Sequence, residues 1–415
     1  MTRPAFLASR DHSLRDELLL DSGVRLAIRK IEERTSGYGL RTRRNLLTNG
    51  LRLTRSIAPR VHAALDACRT SLGFDRDVEI YVRPDAELQA FCTRSIVGPA
   101  IIGFSSRLIE TFSESELRFV MGHELGHAML DHFAIPMPTT ATIEDVGGKF
   151  VSRPIQLKLY LWCRAAEVSA DRAGALCARD PNAAAFALLK IASGLDERHI
   201  VPDLDTFASQ VEALLATPAA CALERHAEQV LDCFDTHPYN PIRVRALLTY
   251  ARSKAYLGAV GSNATGLEDE ELERVVNRDL SIMEPSYLED SSSDSEAMRR
   301  LLYCAGVSVA RADGEVSAAE VRALRALLGS KKAEVPEQER LETLASELAT
   351  MLESAATSFS LEARAQLVAH ITIIAAADGV VSQSELDEVE RIATALAVDT
   401  RVVEQTLAGA RAPLD

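Results

Sequence analysis

Residues 113–132 read SESELRFVMGHELGHAMLDH, and the interpretation of the whole chain starts from this stretch. Ser113 opens an S-x-x-E capping box, so a helix is predicted to begin there. Residues four apart lie on one face of a helix, and His123 and His127 can therefore present two imidazoles to one metal ion. Glu124 then points to the adjacent side. The spacing is typical of a metal site that activates water for hydrolysis.

Length and composition limit the class of protein. A chain of 415 residues with 47% hydrophobic residues suggests roughly two packed domains. The net charge of -14 and a pI near 5.3 argue against nucleic acid or an anionic membrane surface as a partner. Seven cysteines without a C-x-x-C pair are typical of reduced thiols. Charges interrupt the first twenty residues, and the apolar run 367–377 is too short to span a bilayer, so a cytoplasmic protein is expected.

Two kinds of element precede the His-bearing helix. Residues 14–73 have a helical pattern with many arginines, which we interpret as a solvated face, the alternative being contact with an acidic partner. Residues 77–82 (DVEIYV) and 96–104 (IVGPAIIGF) are predicted strands of a small sheet. An exposed edge of this sheet could pair with an extended substrate peptide, or the strands could simply cover the helix.

A third metal ligand is expected on a second helix, which is predicted to begin at Ile155. A zinc site built on H-E-x-x-H needs one more donor, which a glutamate supplies in the His2Glu class. Glu167 and Asp171 share one face of this helix, within the small and apolar sequence LWCRAAEVSADRAGALCA. Asp171 is placed to accept a hydrogen bond from the outer nitrogen of a ligating histidine. A surface pair is the alternative for these two acids.

These motifs together resemble a known family. His-Glu-Leu-Gly-His, the downstream Glu-Val-Ser-Ala-Asp-Arg, and Thr236-His237-Pro238 with Arg243 resemble the gluzincin zinc endopeptidases related to HtpX and the CAAX prenyl proteases. The resemblance covers roughly residues 63–251. It implies that His123, His127 and Glu167 bind zinc, that Glu124 is the general base, and that Asp171 supports a ligand. It also implies that His237 lies near the metal.

Two further histidines and one departure from the family pattern qualify this interpretation. His237 could donate to the oxyanion, could be a reversible fourth ligand, or could only begin the next helix, 241–252. His132 would lie off the ligand face of a continuing helix, so a structural role is predicted for it. Residues 89–91 read Gln-Ala-Phe where many family members have Asn-Ala-Phe, which bears on the substrate strand.

The C-terminal part contains an internal repeat. Residues 310–320 and 375–385 match at seven of eleven positions, sharing the pattern A-D-G-x-V-S-x-x-E. The pattern predicts that a glycine ends one helix and a Ser/Glu capping box starts the next. The repeated acids could instead bind a divalent cation; they are Asp313, Glu320, Asp378 and Glu385. The repeat resembles the TerB-like domains named for tellurite resistance, which implies a helical stress-response module.

The sequence therefore predicts an α+β, predominantly α, chain. Its predicted parts are an N-terminal helical region (1–62), a metallopeptidase domain with a small sheet (63–252), an acidic Ser/Gly-rich linker with a short helix (253–296) and an all-α TerB-like domain (297–415). The expected function is zinc-dependent cleavage of protein or peptide substrates, with the C-terminal domain binding a regulatory protein. The alternative is an inactive scaffold, zinc-stabilised or metal-free, that acts through the TerB-like domain.

Overall fold

The computed structural model describes residues 4–35, 38–93, 98–135, 153–215, 236–283, 293–314, 316–328, 341–377 and 380–411. The described residues form two compact units. The first draws on 1–137, 162–213 and 237–280, and the second draws on 138–161, 214–236 and 281–415. The chain is predominantly helical with one small sheet, as the sequence predicted.

The described elements up to residue 280 are helices, together with four short strands within residues 51–105. They are α1 (Ser9–Leu20), α2 (Ser22–Thr35), α3 (Tyr38–Asn49), β1 (Leu51–Leu53), α4 (Pro59–Leu72), β2 (Val78–Arg83), β3 (Ala90–Thr93), β4 (Ala100–Ser105), α5 (Ser106–Thr111), α6 (Glu114–Met129), α7 (Arg153–Ala178), α8 (Pro181–Ser193), α9 (Leu204–Leu215), α10 (Asn240–Ala251), α11 (Lys254–Ala259) and α12 (Asp269–Leu280). Helix α6 packs against α4 and α8, and α8 packs against α10. The His-bearing helix is therefore central to the first unit.

The sheet has the order β1-β2-β4-β3. Strands β2 and β4 are parallel, whereas β1 and β3 pair antiparallel at the two edges. Every residue of β4 is buried, which explains its continuous apolar sequence. Strand β3 lies next to α6, so one edge of the sheet borders the helix that carries the histidines.

The helical prediction for residues 14–73 is wrong at β1. Leu51, Arg52 and Leu53 pair with β2 instead of continuing the helix. Gly50 explains where the chain changes, because a Cβ atom there would lie 2.3 Å from the carbonyl oxygen of Val82. Only a glycine allows this close approach of the two backbones.

The segment predicted as a linker begins inside the first unit. Helix α12 packs against α10, with Leu272 and Val276 buried. Arg172 on α7 pairs with Glu273 at 2.7 Å, and Arg245 Nε lies 2.9 Å from Asp279. Residues 254–280 thus belong to the folded body of the first unit, because their apolar stripe is covered and two of their acids pair with arginines of α7 and α10.

The second unit is an all-helical bundle. Its described helices are α13 (Ser293–Ala310), α14 (Ala318–Leu328), α15 (Leu341–Ser358), α16 (Leu361–Ala375), α17 (Gln383–Ala395) and α18 (Arg401–Arg411). Helix α16 packs against α13, α17 and α18, and its buried face includes Leu367, Ile371 and Ile374. The apolar run 367–377 is therefore the core of this bundle.

Both repeated turns contain the predicted capping boxes. Ser317 and Glu320 exchange backbone and side-chain hydrogen bonds at 2.7 and 3.1 Å, and Ser382 and Glu385 do so at 2.7 and 3.2 Å. Gly314 has φ = 94°, the left-handed value expected at the end of a helix. Burial raises the pKa of Glu320 to about 7. Asp378 and Gly379 lie outside the described residues.

Among the helices that the structure describes, none has both the length and the apolar character needed to cross a bilayer.

Candidate metal centre

Helix α6 begins at the residue that the sequence indicated. The backbone nitrogen of Ser113 donates to Glu116 Oε2 at 2.7 Å, and Ser113 Oγ accepts from the nitrogen of Glu116 at 3.4 Å. Glu116 is buried, and Lys190 Nζ on α8 lies 3.0 Å from the same carboxylate oxygen. The N-terminal end of the helix is thus fixed both by its own cap and by a buried ion pair.

Small residues allow α6 and α7 to approach closely. A Cβ atom at Gly126 would lie 2.8 Å from Cβ of Ala173, and one at Gly122 would lie 2.6 Å from Sγ of Cys177. Such distances are shorter than the usual 3.5–4.0 Å between carbon atoms in contact. Gly174 on α7 has a similar constraint, because its Cβ would lie 2.6 Å from the carbonyl oxygen of Phe119. The close approach brings the acids of α7 to the histidines of α6.

Three side chains converge on one point between the helices. His127 Nε2 lies 3.1 Å from His123 Nε2 and 3.3 Å from Glu167 Oε1. His123 Nε2 lies 3.6 Å from Glu167 Oε2. One donor atom from each of the three residues lies within 4.8 Å of the others. Among the described residues this is the group that could hold a metal ion.

The donor set fits a zinc ion. Two ligand atoms at about 2.1 Å from one zinc ion stand about 3.4 Å apart in a tetrahedron, close to the separations observed here. Glu167 Oε2 is buried and accepts no hydrogen bond from any residue that the structure describes. Arg243 Nη2 lies 3.3 Å from this oxygen without an aligned hydrogen bond, so the oxygen still has a lone pair for a metal ion. Burial acts to raise the pKa of Glu167, but the imidazoles, His237 first, lower that pKa well below its usual value.

Asp171 and Arg243 support the first histidine. Asp171 Oδ1 lies 2.9 Å from His123 Nδ1, and Arg243 on α10 donates to both oxygens of Asp171 at 2.7 and 2.9 Å. Arg243 Nη2 also lies 3.3 Å from Glu167 Oε2. Burial acts to raise the pKa of Asp171, but the charges and hydrogen bonds of Arg243 and His123 together outweigh it, and the pKa is lowered. An ionised Asp171 accepts from Nδ1–H, which leaves Nε2 of His123 as the ligand atom.

The remaining predicted site residues border the same point. Glu124 is 7% exposed, and burial raises the pKa of its carboxyl, partly offset by the charges of His123 and His127. His237 precedes α10, and its side chain is 61% exposed. Its Nε2 lies 3.6 Å from Glu167 Oε1. The structure therefore brings His237 beside the three converging donors.

The position expected for His132 is wrong. Helix α6 ends at Met129, and Asp131 takes a left-handed conformation (φ = 51°) that turns the chain back into a short 3-10 helix, His132–Ala134. His132 Nδ1 consequently lies 2.8 Å from Nδ1 of His127. His132 Nε2 lies 3.0 Å from Oδ2 of Asp11, on α1. The sequence carries no local signal for the Asp11 contact.

A cleft of about 380 Å³ opens beside the converging donors. Ala90, Phe91 and Cys92 of β3 form one wall, and Phe119, Leu188 and Ile191 are apolar residues of the helical side. Glu124 and His237 also face this cleft. A molecule in the cleft would lie between an edge strand and the three converging donors.

A helix-borne H-E-x-x-H motif with a carboxylate from a second helix defines the class of metallopeptidases. Sequence comparisons agree: residues 56–251 match the model of peptidase family M48, and residues 299–408 match the tellurite resistance protein TerB. The chain thus carries an M48 metallopeptidase domain followed by a TerB domain.

Three relatives illustrate the similarity. The plastoglobule-localized metallopeptidase 48 of Arabidopsis thaliana is 30% identical over 188 residues, which are 43% of this chain and 53% of the relative. A protease HtpX homolog of Ralstonia nicotianae is 26% identical over 50% of this chain and 79% of its own length. A protease HtpX homolog of Ralstonia pickettii is 26% identical over 43% of this chain and 69% of its own length. The chain therefore spans about half of the plastoglobule relative. No solved structure matches.

Proposed function

We propose that the chain is a zinc-dependent endopeptidase that hydrolyses peptide bonds in extended protein segments. The observation that carries this proposal is the convergence of His123, His127 and Glu167 at one side of an open cleft. These three residues would hold the metal. A zinc ion in such a site lowers the pKa of water and polarises a carbonyl group.

Glu124 would move the proton in this reaction. It follows the first ligand directly and faces the cleft, and burial raises the pKa of its carboxyl above the usual value, which favours its taking up a proton. It would take a proton from the attacking water and give it to the leaving amine nitrogen. The substrate bond is then broken without transfer of any group to the protein.

His237 would act on the carbonyl oxygen. Its side chain is exposed to the cleft, and an imidazole N–H can donate to the negative charge that develops on that oxygen. Replacing His237 by phenylalanine should lower kcat by about 10²-fold, a size typical of a lost oxyanion donor. If His237 were instead a blocking fourth ligand, the same replacement would raise kcat.

Extended segments would bind along β3. This strand forms the edge of the sheet beside α6, so its outer backbone groups can pair with a substrate strand. Backbone pairing is tolerant of sequence, but it requires a locally unfolded substrate. Unfolded proteins are therefore the expected substrate class.

Glu124→Gln tests the mechanism. The amide keeps the shape of the side chain but cannot accept a proton, so zinc content should stay at one ion per chain while hydrolysis of an unfolded protein falls at least 10³-fold. Glu114→Gln, on the exposed first turn of the same helix, is the matched control and should keep full activity. Wild-type rates in Glu124→Gln would refute the general-base assignment. A wild-type chain without zinc and without proteolysis would support the scaffold alternative.

Regulation by the TerB domain stays a prediction. A fragment ending at Met283 is the correct comparison, because α12 packs on α10 and must be kept. A higher kcat in the fragment than in the full chain would indicate inhibition by the removed residues 284–415, which contain the TerB domain. Equal rates would count against it.

A further inference from the structure

A row of buried, hydrogen-bonded side chains begins at the outer nitrogen of His127. His127 Nδ1 contacts His132 Nδ1 at 2.8 Å, and His132 Nε2 contacts Asp11 Oδ2 at 3.0 Å. His132 and Asp11 are each 1% exposed. Asp11 lies on α1, which precedes the region that matches the M48 family. The contact thus connects a proposed zinc ligand to a helix outside the matched domain.

Only one arrangement of protons allows both hydrogen bonds in this row when His127 binds a metal through Nε2. Its proton is then on Nδ1 and is donated to His132, so His132 must accept at Nδ1. The proton of neutral His132 is therefore on Nε2, and it is donated to Asp11. A carboxylate is the group required at the end of the row, because it only accepts.

The other contacts of Asp11 also suit an ionised carboxylate. Trp162 Nε1 donates to Oδ1 at 2.9 Å, and Ser169 Oγ lies 2.7 Å from Oδ2. The serine oxygen already accepts from the backbone nitrogen of Ala8 at 3.0 Å, so its hydrogen is available for Asp11. Three donors thus hold the carboxylate. Two of them, the indole of Trp162 and the hydroxyl of Ser169, fix its position independently of His132.

We propose that Asp11, acting through His132, is a positioning residue that fixes the tautomer and orientation of His127 as a zinc ligand. This inference rests on the proposed function. Each histidine ligand would then have an aspartate that fixes its orientation. Asp11 acts on His127 through His132, whereas Asp171 contacts the outer nitrogen of His123 directly at 2.9 Å. Partners of this kind typically contribute 10- to 100-fold to metal affinity.

Asp11→Asn has a specific expected effect. Trp162 can only donate, so the amide oxygen of the asparagine turns toward it and the amide nitrogen turns toward His132. His132 must then accept at Nε2, which moves its proton to Nδ1, against the N–H of His127. Relieving that clash places a proton on the ligand atom of His127. Zinc affinity should fall 10- to 100-fold.

The experiment uses the full chain and measures zinc affinity by competition with a chromophoric chelator. Asp16→Asn, on the exposed side of α1, is the matched control and should bind as wild type does. Ser169→Ala removes one hydrogen bond from Asp11 without reversing any donor, so it should lower the melting temperature but leave affinity within about threefold. The visible spectrum of the cobalt-substituted chain should change in Asp11→Asn and not in the two controls.

A double mutant separates positioning from packing. If Asp11 acts through His132, then Asp11→Asn should have no further effect on zinc affinity in a His132→Leu chain, which is itself at least 10-fold weaker than wild type. His132→Leu also keeps the test valid if Asp11→Asn does not fold. Unchanged affinity in folded Asp11→Asn or in His132→Leu, or additive losses in the double mutant, would overturn the inference. A wild-type chain that binds no zinc would instead overturn the proposed function.

Discussion

Replacing Gly126 by alanine should separate the two helices that carry the proposed zinc ligands. The new Cβ would lie 2.8 Å from Cβ of Ala173, about 1 Å less than carbon atoms in contact require. Both atoms are attached directly to the backbone, so no rotamer change can relieve the overlap. The helices must therefore move apart by about 1 Å.

This displacement should affect stability and metal binding together. Overpacking of this kind costs about 1–3 kcal/mol, whereas metal–ligand distances tolerate changes of only about 0.2 Å. Glu167 on α7 would move away from the histidines on α6. We expect zinc affinity to fall at least 10-fold, and the free energy of unfolding of the metal-free protein to fall by about 2 kcal/mol relative to the control.

The control is Gly258→Ala, also in a helix, where a Cβ atom meets nothing within 4 Å. This control measures separately the gain in stability, about 1 kcal/mol, that replacing glycine by alanine brings to a helix. Trp162 is the one tryptophan of the sequence and is fully buried in α7, so its fluorescence in urea titrations reports the unfolding of the first unit. These expectations would be refuted if Gly126→Ala were as stable as Gly258→Ala and bound zinc as tightly as wild type. Close packing of α6 and α7 would then not set the geometry of the site.

Two further predictions concern buried charges. Lys190→Met leaves the buried Glu116 without its ion pair, so the free energy of unfolding of the first unit should fall by about 3 kcal/mol in urea titrations followed by Trp162 fluorescence. Adding Glu116→Gln should recover part of the loss, and no recovery would contradict this prediction. In the second unit, burial lowers the pKa of His370 to about 4. The unfolded chain binds this proton below about pH 6.5 and the folded chain does not, so stability is lost as the pH falls from 6.5 to 4. Compared with wild type, His370→Leu should gain up to about 3 kcal/mol over this interval in urea titrations followed by circular dichroism, and parallel pH profiles would show that His370 is not responsible.

The parts of the site that the sequence could predict are those that depend on local rules. Ser113 and Glu116 form a cap within one turn, and the spacing of His123 and His127 follows from helix geometry. The same rules gave the capping boxes of the TerB repeat. Each of these features involves residues no more than four positions apart.

The features that the sequence could not predict depend on tertiary contacts. The sequence named Glu167 as the third ligand, but it did not show how Glu167 reaches the histidines, which depends on Gly122 and Gly126 removing side chains between two helices. His132 was misplaced because one left-handed residue, Asp131, ends the helix early. The contact of Asp11 with His132 joins residues 121 positions apart, which periodicity cannot reveal.

The spread of these groups along the chain has a consequence for synthesis. Asp11 is made first, the histidines and Glu167 follow, and Arg243 lies 72 positions beyond Asp171, which it holds. A chain emerging from the ribosome therefore has no complete donor set until α7 is made, and no support from Arg243 until α10 is made. Hydrolytic power would arise only when the first unit is nearly finished, so an unfinished chain would be unable to cut itself or its neighbours.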